Sequence, residues 1–303
     1  MKHFFVVNPC AGGKNHVDDI KGQAEALDIG GEVYVTRGTA DATRFVEECC
    51  REYGGEPLRF YACGGDGTLN EVVSGAMGHS DVEVGCYPCG SGNDYVKYWP
   101  EADFRDLRAL TEARTVEVDV MRVSCQQSVR YALNTFNYGF EAEVCREMAA
   151  VRRKPLVGGR MAYPTGIVKS LVHGRHNPCR ISVDGEVWRE GDLLLASLAN
   201  GRYAGGGFLS APRSQNDDGL LEVTAIRPLS VVRFARMIGL YKSGEYLDSE
   251  KLRDVVSYCR GRRVTFKSDR EFYIGIDGEL LCGSRFEVEN LHKALRFLVP
   301  NLA

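Results

Sequence analysis

The sequence contains no apolar run approaching the roughly 20 residues that a membrane-spanning helix needs. Its best candidate, residues 193–199, is only strand length. The N-terminus does not read as a signal peptide, because the short apolar run after Lys2 breaks at Asn8-Pro9. Excess positive charge is also missing. There are 38 Lys+Arg against 41 Asp+Glu, a formal net charge of -3. That balance excludes a dedicated nucleic-acid binder, whose affinity rests on released counterions. Internal repeats and low-complexity tracts are absent, which excludes solenoids and fibres. Eleven cysteines are present, an odd number scattered over 303 residues. A chain of this size builds a core without staples, so reduced thiols in a cytoplasmic protein are expected.

What is present is globular in texture, with 44% hydrophobic and 26% charged residues. The first hundred residues alternate between two hydrophobic periods. Strands are expected at 3–7, 32–36, 59–62 and 82–87, and helices at 17–27, 42–53 and 69–77. This order predicts a parallel sheet covered by helices. A further helix is expected at 103–113, with Asp103 as its N-cap. Strand-like runs then dominate, at 116–123, 131–136, 179–183, 193–199, 220–225, 255–259, 263–267, 272–276 and 286–289. They predict an antiparallel sandwich or barrel, interrupted by helices near 141–153, 161–172 and 231–241. The expected architecture is an α/β domain over residues 1–114 and a β-sandwich domain with helical insertions over 115–303.

Three consecutive strand ends on one edge of the parallel sheet open into glycine-containing loops. They are Asn8-Pro9-Cys10-Ala11-Gly12-Gly13-Lys14, Gly64-Gly65-Asp66-Gly67-Thr68-Leu69-Asn70-Glu71 and Gly90-Ser91-Gly92-Asn93-Asp94. Ligands bind at the carboxyl edge of such sheets. Glycines and a free helix N-terminus suit phosphate. Any one of these loops is more often a plain turn, whereas three on one rim point to a phosphate site. Neither a Walker loop nor a dinucleotide fingerprint is present.

Two later loops, Gly205-Gly206-Gly207 with Asn216-Asp217-Asp218-Gly219, and Asp277-Gly278-Glu279, place carboxylates at turns. Asp277-Gly278 reads as a type I′ hairpin turn. The Asp217-Asp218-Gly219 turn is either a polar connection or a set of oxygens for Mg²⁺. Cys86-Tyr87-Pro88-Cys89 lacks a second pair for zinc and reads as inert thiols. Asp119, inside an apolar strand, reads first as an edge residue. The basic and apolar stretch 152–175 is either a membrane-surface face or an ordinary helix with snorkelling bases.

In this set and order the motifs resemble those of the diacylglycerol kinase catalytic-domain family, which includes sphingosine kinases and bacterial soluble lipid kinases. The loop from Gly64 to Glu71 resembles its signature. Residues 8–14 resemble its first nucleotide loop, and Gly90-Ser91-Gly92-Asn93-Asp94 its GTxND motif with Ser for Thr. Asn200 to Gly207, Asp217 to Val223 and Asp277-Gly278-Glu279 resemble its later motifs. The resemblance implies an NAD kinase-like α/β domain joined to a β-sandwich. It also implies transfer of the γ-phosphoryl group of ATP to a lipid hydroxyl, with diacylglycerol the expected acceptor.

Carried over by position, the nucleotide contacts are Asn8, Gly12, Gly13, Lys14, Thr36, Gly65, Asp66, Gly67, Thr68, Leu69, Asn70, Glu71 and Ser91. Asp218 with the backbone oxygens of Gln215 and Leu220 is the implied Mg²⁺ site. Glu279 is the implied proton acceptor, with Asp66 the competing base, and Asp119 belongs to an acidic network. The reading further expects peripheral contact with a membrane surface and allows a homodimer. The alternatives are a sphingoid-base kinase, an NAD kinase-like enzyme on a soluble substrate, and a non-catalytic lipid- or nucleotide-binding regulator.

Overall fold

Short apolar runs separated by amphipathic helices become buried parallel strands. In the computed structural model, which describes residues 1–126, 128–152 and 176–301, β1 (Lys2–Val7), β2 (Glu32–Val35), β3 (Leu58–Gly64) and β4 (Val82–Pro88) pair in parallel, in the order β2-β1-β3-β4. Helices α1 (Val17–Ala26), α2 (Asp41–Glu52) and α3 (Asp66–Ala76) connect them. Burial on both faces explains why β1 and β3 read as continuous apolar runs: Phe4 to Val7 and Phe60 to Cys63 are all buried.

The second part is antiparallel. Its strands are β5 (Arg114–Cys125), β6 (Ser128–Ala132), β7 (Thr135–Gly139), β8 (Asn177–Val183), β9 (Glu186–Leu193), β10 (Leu195–Ala199), β11 (Leu221–Ile226), β12 (Val256–Gly261), β13 (Arg263–Ile276) and β14 (Glu279–Val299). Helix α5 (Phe140–Arg152) follows β7, and α6 (Val231–Ser243) follows β11. Residues of α6 and α5 share a separate apolar cluster, with Phe140, Phe234, Met237 and Tyr241 at its centre.

One strand ties the two parts together. The end of β14 returns to lie parallel to β4, with Arg296 and Phe297 opposite Glu83 and Val84. Phe297 enters an aromatic cluster with Tyr95, Trp99 and Phe104. Such ring pairs contribute about 0.5–1.5 kcal/mol each beyond area burial. Beside it, buried Glu83 accepts from Arg59 Nε at 2.6 Å and Thr115 Oγ1 at 2.9 Å, and also pairs with Arg296. A buried carboxylate is tolerable only with such partners.

Several elements differ from the sequence expectation. The helix at 103–113 shrinks to α4 (Leu107–Thr111), capped by Asp106, whose carboxylate accepts from Arg108 and Ala109 N–H; Asp103 closes only the turn before it. The run 131–136 divides into β6 and β7, because a carboxylate takes the N–H groups of Leu133, Asn134 and Thr135. The runs 263–267 and 272–276 fuse into β13 across an irregularity between Lys267 and Phe272. The short run 286–289 is part of the 21-residue β14. Strand β9 was not expected, since its Glu186–Leu193 sequence is almost wholly exposed and lacks apolar alternation. The expected helix at 161–172 lies outside the described residues, as does all of the stretch 152–175 except its first residue.

Candidate active site

The glycine loops pack backbone against backbone. A Cβ on Gly90 would lie 2.4 Å from Gly65 Cα, and one on Gly12 would lie 2.2 Å from the Cys89 carbonyl oxygen. Gly12 also has a φ of +62°, which glycine adopts without strain. Asn8 fastens the first loop to the second. Its N–H donates to the Cys63 carbonyl at 3.0 Å and its Nδ2 to Thr68 Oγ1 at 3.0 Å. Thr36 N–H donates to the Val7 carbonyl at 2.9 Å and brings the end of β2 to the same rim.

Helix α3 starts here with Gly65 as N-cap and no side-chain cap. Its intrahelical ladder begins with Leu69 N–H to the Gly65 carbonyl at 3.0 Å. The preceding N–H groups and the positive end of the helix dipole therefore suit phosphate oxygens. Gly67 has nothing within 4 Å of a built Cβ, so the first turn is open.

Asp66 holds the third loop. Its Oδ1 accepts from Asp94 N–H at 2.7 Å and Tyr95 N–H at 3.3 Å. Burial raises its carboxyl, with neighbouring Asp94 adding to the shift. Asp94 in turn accepts from Gly206 N–H at 2.7 Å and pairs with Lys97 at 2.5 Å. Thus the Gly205-Gly206-Gly207 loop of the second part is held against the first.

The hairpin between β13 and β14 supplies the opposite wall. Asp277 and Gly278 have φ of 45° and 91°, the two positive values of a type I′ turn. Asp277 does more than turn the chain. Its carboxylate accepts from Leu133 N–H at 2.8 Å, Thr135 N–H at 2.8 Å, Asn134 N–H at 3.2 Å and Asn70 Nδ2 at 3.1 Å. Burial raises this carboxyl to about 6, against the pull of those donors. Glu279 follows on the cavity wall. Burial raises its carboxyl and Glu71 adds to the shift, while Arg130 opposes it.

A cavity of about 870 Å³ joins these features. One end is polar, lined by Asn8, Gly12, Thr36, Gly65 to Thr68 and Gly90 to Gly92. The other is largely apolar, lined by Phe140, Val144, Leu195, Phe208, Phe234, Met237, Ile238 and Tyr241. Asp277, Gly278 and Glu279 line it too.

Of the expected nucleotide residues, Asn8, Gly12, Thr36, Gly65, Asp66, Gly67, Thr68, Glu71 and Ser91 meet on this cavity. Four do not. Gly13 and Lys14 are exposed away from it, and Leu69 is in the core. Asn70 donates to the Tyr131 carbonyl at 2.7 Å as well as to Asp277, so it ties α3 to the second part. Glu71 lines the wall, but both its oxygens accept N–H groups at the start of α2, from Ala40 at 2.9 Å and Ala42 at 3.1 Å.

Asp218 lies off the cavity. Its carboxylate accepts from Leu220 N–H at 3.0 Å and pairs with Arg260, which also bonds Glu222. A cation at Gln215, Asp218 and Leu220 would have to displace that guanidinium. The residues as arranged do not fit the implied Mg²⁺ there, and no step below runs through it.

Asp119 is no edge residue. It is fully buried and accepts from Gly219 N–H at 2.6 Å, Lys293 N–H at 2.7 Å, Asn290 Nδ2 at 3.0 Å and His292 Nδ1 at 2.9 Å. It joins β5, the Asp218 turn and the bend of β14. The sequence reading missed the cavity-lining residues Thr135, Asn137, Phe140 and Glu141. The available signal was Asn137-Tyr138-Gly139-Phe140-Glu141, a polar and aromatic run where a strand passes into a helix.

Comparison with known proteins settles the kinship. Residues 2–123 match the diacylglycerol kinase catalytic domain, and residues 134–299 match the YegS C-terminal NAD kinase beta sandwich-like domain. The chain belongs to the diacylglycerol kinase catalytic-domain family, in its YegS-like branch. Within that family it is 28% identical to a protein of Stenotrophomonas maltophilia named "Probable lipid kinase YegS-like", over 97% of this chain and 95% of that one. It is 30% identical to a protein of the same name from Chromohalobacter salexigens, over 80% and 76%. Among solved structures, a diacylglycerol kinase from Bacillus anthracis superposes with a TM-score of 0.71 at 18% identity, covering 100% and 98%. Yeast NADH kinase complexed with NADH superposes at 0.53 and 13% identity, covering 99% and 84%. Both structures share the fold, an α/β parallel-sheet domain with a β-sandwich-like domain.

Proposed function

We propose that this family member is a lipid kinase that transfers the γ-phosphoryl group of ATP to a lipid hydroxyl. The observation that carries the reading is the single cavity with a glycine-lined polar end and an apolar end. A soluble acceptor would not need the apolar walls of α5, α6 and β10. A nucleotide phosphate chain suits the open first turn of α3. The apolar walls suit lipid chains, among them those of diacylglycerol, the acceptor expected from the resemblance.

Phosphoryl transfer is mostly a matter of positioning and charge neutralisation. Backbone N–H groups of Gly67, Thr68 and, in the Gly90–Gly92 loop, Ser91 and Gly92 hold the phosphates, while that of Gly90 donates to the Gly64 carbonyl and Asn93 Oδ1. Asp66 fixes that loop through Asp94 and Tyr95. Mg²⁺ bound with the nucleotide would supply neutralisation of phosphate charge. Glu279 takes the hydroxyl proton while the acceptor oxygen bonds to phosphorus and the bond to the ADP oxygen breaks. Its raised carboxyl suits a general base. Such an acceptor resides in a bilayer, so the protein works by peripheral contact. No described helix is long and apolar enough to cross a membrane.

The test uses labelled ATP with a total lipid extract, read in organic and aqueous phases. Label in the organic phase supports the reading; label only in the aqueous phase with a nucleotide acceptor refutes it. Glu279→Gln should lower kcat by roughly 10²-fold or more with ATP affinity nearly intact. Asp66→Asn should weaken Mg·ATP binding as well. The reverse pattern makes Asp66 the base.

A further inference from the structure

Among the described residues, the apolar end of the cavity contains one acid. Glu141 stands in the first turn of α5, between Phe140 and Ala142, and lines the cavity beside Phe234 and Met237. Tyr241 Oη donates to its Oε1 at 2.7 Å. The Asn137 amide, turned so that both its ends are satisfied, donates to its Oε2 at 2.7 Å. Burial pushes the carboxyl upward, against the pull of the tyrosine hydroxyl. No cation offsets it: among the described residues lining the cavity, Arg37 is the one basic side chain, and it belongs to the nucleotide end.

An acid retained in this setting costs stability unless something pairs with it. Each carboxylate oxygen has two acceptor sites, and the protein donors fill one on each. The remaining capacity calls for a donor.

The strand register places this acid relative to the chemistry. Thr135 and Asn137 both line the cavity from β7, two residues and so roughly 7 Å apart. Asn137 lies opposite Gly275 of β13, while Ile276, the next residue, lies opposite Glu279. A polar row therefore leads from the hairpin carrying Glu279, past Thr135 and Asn137, to Glu141 among apolar walls.

Resting on the lipid-kinase reading, we propose that Glu141, held by Tyr241 and Asn137, is a specificity-determining residue. It selects a lipid acceptor that carries a second hydrogen-bond donor, a free hydroxyl or an amine, besides the hydroxyl that is phosphorylated. A diacylglycerol has no such second donor. Its esters only accept, and they would leave Glu141 facing oxygen. Discrimination of about 10- to 100-fold follows from leaving the remaining acceptor sites of this half-buried carboxyl without a donor.

The experiment compares three acceptors of matched chain length in mixed micelles with labelled ATP: a 1,2-diacylglycerol, a monoacylglycerol and a long-chain 2-amino-1,3-diol. The wild-type protein should favour at least one of the latter two by about 10-fold or more in kcat/KM. Glu141→Gln should reduce that ratio by about 10-fold, chiefly through KM, and Tyr241→Phe should move it less in the same direction. Thermal unfolding of each variant separates misfolding from altered choice, and the near-isosteric Gln keeps the shape. A wild-type preference for diacylglycerol overturns the proposal. So does a Glu141→Gln variant that lowers all three acceptors equally. Label in none of the three, but in a lipid of the total extract that has no second donor, overturns this proposal while the kinase reading stands. Label in no lipid at all sinks both.

Discussion

Replacing Asp277 tests whether the hairpin is an anchor or only a turn. Four N–H donors converge on its carboxylate, three from the backbone between β6 and β7 and one from Asn70 on α3. Hydrogen bonds to a charged group contribute about 1.5–3 kcal/mol each. Their sum is not the net, because burying the charge costs energy, as the carboxyl raised to about 6 records. Removing one partner of a buried charged network costs about 3–5 kcal/mol. That is the expectation for Asp277→Ala, with a fall in Tm of about 10 °C. Asp277→Asn tolerates the positive φ but offers one oxygen and one NH₂. Its NH₂ would face Leu133 N–H and Asn70 Nδ2, costing about 2–3 kcal/mol. Urea and thermal unfolding measure both variants, and ATP titration runs alongside. Glu279 and α3 share this anchor, so activity should fall more than ATP affinity. An Asn variant within about 0.5 kcal/mol of wild type, with full turnover, would refute the reasoning.

Gly67→Ala should leave stability equal or higher by up to about 1 kcal/mol, since alanine favours helix and its Cβ meets nothing within 4 Å; it should nevertheless weaken ATP binding, and unchanged affinity would place the nucleotide elsewhere. Gly90→Ala should cost about 1–3 kcal/mol, since its Cβ would press on the Gly65 backbone, and calorimetry reads it. Glu279 acts as base only when deprotonated. Its carboxyl is raised, so the acid limb of kcat/KM should lie above the ordinary carboxylate range, with activity rising with pH, and the limb should vanish in Glu279→Gln. Asp41 is the opposite case: Arg37 N–H and the Arg44 and Tyr34 side chains hold its carboxyl below 3.8. Its stabilisation is full above that value and lost as pH falls through the depressed one, so the deficit of Asp41→Asn should shrink in acid unfolding curves.

The parallel half was legible because its elements announce themselves locally. Four buried strands, their helices and the glycine loops at their ends all follow from runs of a few residues. The antiparallel half was less legible, because partners far along the chain shape its elements. The break between β6 and β7 depends on Asp277, more than 140 residues later. The long β14 holds an irregular stretch between Leu291 and Leu295 that a search for alternation reads as a loop. Strand β9 has almost no apolar face to reveal it.

The same distinction runs through the site. Residues that would contact the nucleotide were visible because glycine is needed where backbones touch at the Gly65–Gly90 and Gly12–Cys89 approaches. Asp277 looked like a turn residue, and it is one. Its φ of 45° serves the turn while its carboxylate serves another strand pair, and sequence reports only the first duty. Asn70 and Glu71, inside the signature loop, looked like ligand contacts, yet their polar atoms join elements of the protein. A motif can thus persist for assembly as well as for chemistry. Its hydrogen bonds, not its spelling, divide the residues that face the cavity from those that hold its walls. By that criterion Asn70, inside the signature, holds the walls, whereas Glu141, outside every motif, lines the cavity and keeps acceptor sites free beyond its two protein donors.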